Sequence, residues 1–147
     1  MIKPAEFKKL LKDHEDCLPM LTLSEFFDGN TVEDSIAPNQ YGYGRPSLAE
    51  IWGTLRKIEA LPSVAWIRVV LHYDTAIKES GGEEVLYLSG DTIALCTTAR
   101  PSEIESLANC EWLCSDGVIE VSQSYWDAFS CVPPVPKGYH CLEIVWD

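Results

Sequence analysis

The stretch from Ser47 to Tyr73, SLAEIWGTLRKIEALPSVAWIRVVLHY, carries a helix and a strand back to back, and reading the two together decides the fold. Ser47-Leu48-Ala49-Glu50 forms a capping box, in which the Ser47 hydroxyl and the Glu50 carboxylate each take one of the amides that a helix start leaves without a partner. Leu48, Ile51, Trp52, Leu55 and Ile58 then fall on one helical stripe, and Pro62 ends the element. From Val64 the period changes to two. Ala65, Ile67, Val69, Leu71 and Tyr73 make a wholly apolar face, while Trp66, Arg68, Val70 and His72 make a mixed one. Such a strand meets helices on one side and is partly covered on the other.

On the N-terminal side, Pro4 suits a first helical position, and Phe7, Leu10, Leu11 and His14 follow on one stripe. Leu21 to Asn30 reads as a short helical turn with Ser24 as cap, Gly29 as left-handed stop, and Phe26 and Phe27 as core anchors. Asn30 to Pro46 has no period and contains Tyr41-Gly42-Tyr43-Gly44, so it reads as a long loop of the kind that often carries function. On the C-terminal side, a polar loop holds Gly81-Gly82, and Val85–Ser89 and Thr92–Thr97 read as a hairpin closed by Gly90-Asp91. Arg100-Pro101 opens a helix that turns Ile104, Leu107 and Ala108 inward. Val118–Val121 is a short strand, residues 122–139 are irregular around Tyr125-Trp126 and the run Val132-Pro133-Pro134-Val135-Pro136, and residues 140–146 close the chain as a strand. This order predicts one α+β domain over residues 1–147, a mainly antiparallel sheet of about five strands with helices on one face.

With 23 Asp and Glu against 11 Lys and Arg, the 147-residue chain carries a net charge of −12, which argues against a nucleic-acid partner. Its 46% hydrophobic content excludes a disordered acidic tail. No apolar run is long enough for a membrane span, and residues 1–20, with Lys8, Lys9, Lys12 and Asp13 interspersed, hold no signal-peptide core, so a cytoplasmic protein without membrane contact is expected. In that setting the six cysteines read as reduced thiols, with Cys96 and Cys141 inside apolar runs as core. Cys110, Cys114, Cys131 and His140 could be assembled into a zinc site, but Trp112 and Leu113 between the first two read as packing residues, and no metal or cofactor is expected.

No catalytic signature accompanies His14, His72 or His140, and Gly42 and Gly44 lack the context of a phosphate loop. No catalytic residue is therefore assigned. The charge distribution is more informative, because residues 101–147 hold eight carboxylates against Lys137 alone. An acidic surface bearing aromatic residues suits a basic protein partner, with charge steering the encounter and tyrosine or tryptophan anchoring it. The candidate partner-binding residues are Glu25, Asp28, Glu33, Asp34, Tyr41, Tyr43, Asp116, Glu120, Tyr125, Trp126 and Asp127. Tyr125 and Trp126 carry a second reading, as plugs on the open face of the sheet. An alternative function, a small-ligand binder or enzyme, would use the mixed strand face around Arg68 and His72.

Leu21 to Asn30, followed by Asp34-Ser35-Ile36-Ala37-Pro38-Asn39 and closed by Gly138-Tyr139 and Ile144-Val145-Trp146-Asp147, resembles a pattern in small acidic bacterial proteins of unassigned function. Some of these are grouped with the immunity proteins of polymorphic-toxin and contact-dependent inhibition systems. The resemblance implies a cytoplasmic antidote that binds and blocks a secreted toxin domain, with no individual residue role carried over; nuclease-type toxins are basic, so the charge argument points the same way.

Overall fold

The computed structural model describes residues 1–147, and its helix α3 (Leu48–Glu59) starts as the capping box requires. Ser47 Oγ accepts the Glu50 N–H at 3.2 Å, Glu50 Oε2 accepts the Ser47 N–H at 2.8 Å, and a third amide, Leu48 N–H, reaches Glu33 Oε2 at 2.9 Å. Two further helices precede it, α1 (Pro4–Asp13) and α2 (Leu23–Phe27). In α2 the cap is Thr22 rather than Ser24: Thr22 Oγ1 and Glu25 exchange bonds at 3.1 and 2.8 Å, because a capping box needs its acid three residues after the hydroxyl. Gly29 takes the left-handed conformation expected of it. Phe7, Phe26 and Phe27 are buried, whereas His14 lies exposed at the C-terminal end of α1.

Six strands form two sheets. The main sheet has the order β1-β4-β6-β5, all antiparallel, from β1 (Val64–Leu71), β4 (Gly90–Thr97), β6 (His140–Val145) and β5 (Gly117–Glu120). The second is a separate hairpin of β2 (Ala76–Ser80) and β3 (Glu83–Tyr87). This corrects the expected hairpin at Gly90-Asp91. Gly81 and Gly82 both have positive φ, +60° and +83°, which is the backbone a two-residue hairpin turn demands, so the tight turn forms there. Gly90 instead begins β4 opposite Leu71 of β1.

The face of the main sheet bearing Ile67, Val69, Leu71, Ile93, Leu95, Leu142 and Ile144 packs in one cluster with Phe26, Ile51, Leu55 and Ile58, and with Ile104 and Ala108 of α4 (Pro101–Ala108). Three expected inward residues point elsewhere. A register shift between Val64 and Trp66 turns Val64 inward and leaves Ala65 exposed, Tyr73 lies beyond the end of β1, and Leu107 is on the outer side of α4.

The opposite face is covered by the irregular segment 122–139, which acts as a strap. Trp66, Val70, Ala94, Cys96 and Cys141 pack there under Trp126, with Phe129, Val132, Val135 and Tyr139 around them. Both indoles are tied down: Trp66 Nε1 donates to Pro134 O at 3.0 Å and Trp126 Nε1 to Glu143 Oε2 at 3.1 Å. The strap is also paired with the segment before α2, since Met20 N–H reaches Ser130 O and Ser130 N–H reaches Leu18 O.

Close packing at the start of β4 gives the first prediction. A Cβ on Gly90 would sit 3.1 Å from Ile36 Cδ1 and 3.1 Å from Val69 Cγ1, both buried. Gly90→Ala should therefore destabilise the fold by about 1–3 kcal/mol through overpacking, read from urea unfolding midpoints; an unchanged midpoint would show that the two side chains move aside freely.

Candidate functional site: an acidic aromatic loop and its neighbours

The long loop after α2 is held along its length. Asn30 is buried, donating to Phe26 O at 3.1 Å and Ser35 Oγ at 3.0 Å while its Oδ1 accepts the Val32 N–H. Arg45 is the stronger anchor, with a side chain that is 0% exposed. Its guanidinium donates to the carbonyls of Pro46 and Glu33, lies 3.6 Å from Glu33 Oε2, and covers the Tyr41 ring at 5.3 Å. A buried cation is stable only when several acceptors meet it, so this position demands the planar fork of arginine. Asn39 and Gln40 amides then donate to Asp147 O at 3.2 and 2.8 Å, and a Cβ on Gly44 would lie 3.8 Å from Cys114 Sγ.

Between these fixed points the tip projects into solvent. Tyr43 is 84% exposed and Tyr41 49%, with Gly42 and Gly44 supplying the positive φ that reverses the chain. Because Gly44 abuts Cys114, the tip lies beside the turn that carries Trp112, 39% exposed, and the exposed Asp116. Trp112 was expected to pack inward. Leu113 takes that role instead, fully buried, with its carbonyl accepting Trp146 Nε1–H at 2.9 Å.

The other candidates divide by what they already bind. Glu25 and Glu33 serve helix starts, and Asp28 and Asp34 are exposed beside them. Asp116 precedes β5 and Glu120 ends it, about 13 Å apart along a strand, so they do not share one contact. Glu120 lies 3.5 Å from His140 Nδ1 at the far end, where Tyr125 and Asp127 are exposed on the strap. Trp126, 2% exposed, fills the plugging role and is unavailable to a partner while the strap is closed.

Arg68 and His72 do not share a cleft. Arg68 donates to Ile67 O at 2.8 Å and lies over the Trp66 ring, whereas His72 lines a narrow cleft of about 90 Å³ with Asp74, Asp91 and Asp147. A larger cavity of about 350 Å³ lies between α2 and α3, lined by Phe27, Glu33, Leu48 and Trp52, whose ring stacks on Phe27 at 6.1 Å. No three His, Cys, Asp or Glu side chains converge as metal ligands, and the cysteines at 110, 114 and 131 do not gather with His140. No helix is long and apolar enough to cross a membrane.

The profile of the uncharacterized protein YfbO family matches residues 2–144. The chain belongs to that family. No curated protein and no solved structure matches it. The matched span includes the loop, the turn at Trp112 and the strap, so all three are parts of the family's domain. Membership also agrees with the resemblance to small bacterial proteins of unassigned function.

Two predictions follow from the charges. Lysine cannot reproduce the forked donation of Arg45, so Arg45→Lys should cost about 1–3 kcal/mol and speed amide hydrogen exchange across residues 38–44. Unchanged protection there would remove Arg45 as the anchor. Burial lifts the Glu143 carboxyl above the usual range, the Trp126 N–H draws it back, and Asp91 pushes it up again. A carboxyl raised in the folded state stabilises fully below its unfolded pKa, and that contribution is lost as pH rises through the folded value. Glu143→Gln keeps an acceptor for Trp126 without the charge, so it should melt above the parent at pH 7, with the gap closing below about pH 4. A gap that does not change with pH would exclude ionisation as its cause.

Proposed function

We propose that the chain is a non-enzymatic binding protein that docks a basic protein partner on the surface formed by Tyr41, Tyr43, Trp112, Asp34 and Asp116. The carrying observation is Tyr43, 84% exposed on a loop whose base is fixed by a fully buried arginine. A tyrosine so exposed adds little to the core, and a loop already ordered loses little entropy when a partner closes over it. Tyrosine and tryptophan supply interface anchors, and the net charge of −12 favours rapid encounter with a basic surface. In its most specific form the proposal is a cytoplasmic immunity protein that neutralises a basic, nuclease-type toxin domain by occupying the surface meant for phosphates. The resemblance of the Leu21–Asn39 stretch supports that form.

A small-ligand reading draws support from the α2–α3 cavity rather than from Arg68 and His72. Trp52 Nε1 at that cavity is buried without a hydrogen-bond partner.

The test is capture from a bacterial lysate with the parent chain and three variants in parallel, followed by binding kinetics on the captured protein. Tyr43→Ala should weaken a basic partner by about tenfold or more, mainly through faster dissociation. Asp34→Lys combined with Asp116→Lys should slow association and flatten its salt dependence, while reversal of Glu120 and Asp127 should change little. Binding that responds to Glu120 and Asp127 but ignores Tyr43→Ala would overturn the proposed surface.

A further inference from the structure

Cys96 and Cys141 stand directly opposite each other on the central strands β4 and β6. The backbone shows which type of pair they form. Val121 N–H donates to Cys141 O and Asp116 N–H to Val145 O, so the odd-numbered residues of β6 turn their backbone groups toward β5 and away from β4. Cys96 and Cys141 are therefore a non-hydrogen-bonded pair, the closer of the two antiparallel arrangements, with Cα atoms about 4.5 Å apart. That spacing lies within the range a disulfide spans. Both side chains also enter the same cluster beneath the strap, and both are free thiols. No other two cysteines are ladder partners in either sheet.

We propose that Cys96 and Cys141 are a latent cross-strand disulfide site, oxidised by exchange with a low-molecular-weight disulfide such as glutathione disulfide when the strap opens. The thiolate of one cysteine attacks a glutathione sulfur, forming a mixed disulfide and releasing one glutathione thiolate. The second cysteine, as its thiolate, then attacks the protein-bound sulfur, closes the Cys96–Cys141 bond and releases the second glutathione. The protein gives up two protons and two electrons, and glutathione disulfide becomes two glutathione thiols.

The strap is the gate. It holds Trp126 over the pair, and the Trp66–Pro134 and Trp126–Glu143 bonds keep it closed. While it is closed, burial pushes the Cys96 thiol up to about 11 and raises Cys141 as well, so the attacking thiolate is scarce. Once formed, the bond joins the two middle strands and encloses α4, β5 and the strap in one covalent loop, restricting the unfolded chain.

The test incubates the full chain with excess glutathione disulfide under native conditions, in mild urea, and as Trp126→Ala, then blocks remaining thiols and maps peptides by mass spectrometry. The expected product is a peptide pair linked through Cys96 and Cys141, accumulating about tenfold faster in urea or in Trp126→Ala, with a melting temperature several degrees above the reduced protein. Cys96→Ala and Cys141→Ala should each abolish that product. If Trp126→Ala does not fold, the urea series alone reads the gate. The proposal is overturned if exposed Cys131 is fully modified in urea while Cys96 and Cys141 stay open to alkylation, or if either bridges a different cysteine.

Discussion

Strand β4 is bonded on both edges and covered on both faces, and the rest of the molecule is arranged to meet that constraint. Its Ile93 and Leu95 face the helices, while Ala94 and Cys96 face the strap. With β1 on one side and β6 on the other, its backbone groups are satisfied within the sheet, so what remains is to keep water from its side chains. Helices do this on one face. On the other the chain uses an irregular segment, which buries Trp126 as its plug and carries a proline run whose Pro134 carbonyl meets Trp66.

How far the fold was legible follows from where its information is local. The capping box at Ser47, the stripe of α3 and the alternation of β1 from Ile67 to Leu71 are contained in adjacent residues, and each appears where the pattern puts it. The partner of β3 is not local in the same way. Val85–Ser89 and the strand after it carry equal apolar content, and Gly90-Asp91 between them looks like a turn. The choice fell to Gly81-Gly82, where two consecutive residues can adopt positive φ without a side-chain penalty. Ala65 and Leu107 likewise occupy inward positions in an ideal repeat, and a register shift or the depth of the neighbouring core decides otherwise.

The candidate site was legible in kind and less so in extent. The Tyr-Gly loop stood out through composition, yet nothing in its sequence signals that Arg45 is buried beneath it, because that requires the carbonyls of Glu33 and Pro46 to converge. Trp112 was missed because a tryptophan between two cysteines looks like core; the neighbouring Leu113 took the inward position. Trp126 shows the reverse case, an aromatic next to Asp127 in an irregular segment, whose indole N–H has a carboxylate waiting on the sheet.

The net charge also reads differently once the carboxylates are sorted by employment. Glu25 and Glu50 complete capping boxes, and Glu33 serves both Leu48 N–H and the Arg45 guanidinium. Their negative charge is offset by helix amides or by a cation, and each would lose those bonds on turning to a partner. Asp34 and Asp116 carry no such obligation on their side chains; Asp34 follows Glu33 in the chain, and Asp116 lies two residues from Cys114, which neighbours Gly44. The charge on uncommitted carboxylates is therefore smaller than the total, and it is spread over several faces, with Asp28 beside α2 and Asp127 on the strap exposed as well. The net charge thus divides into carboxylates committed to the fold and exposed ones left in solvent, and only the second group can act on another molecule without breaking a bond of the fold.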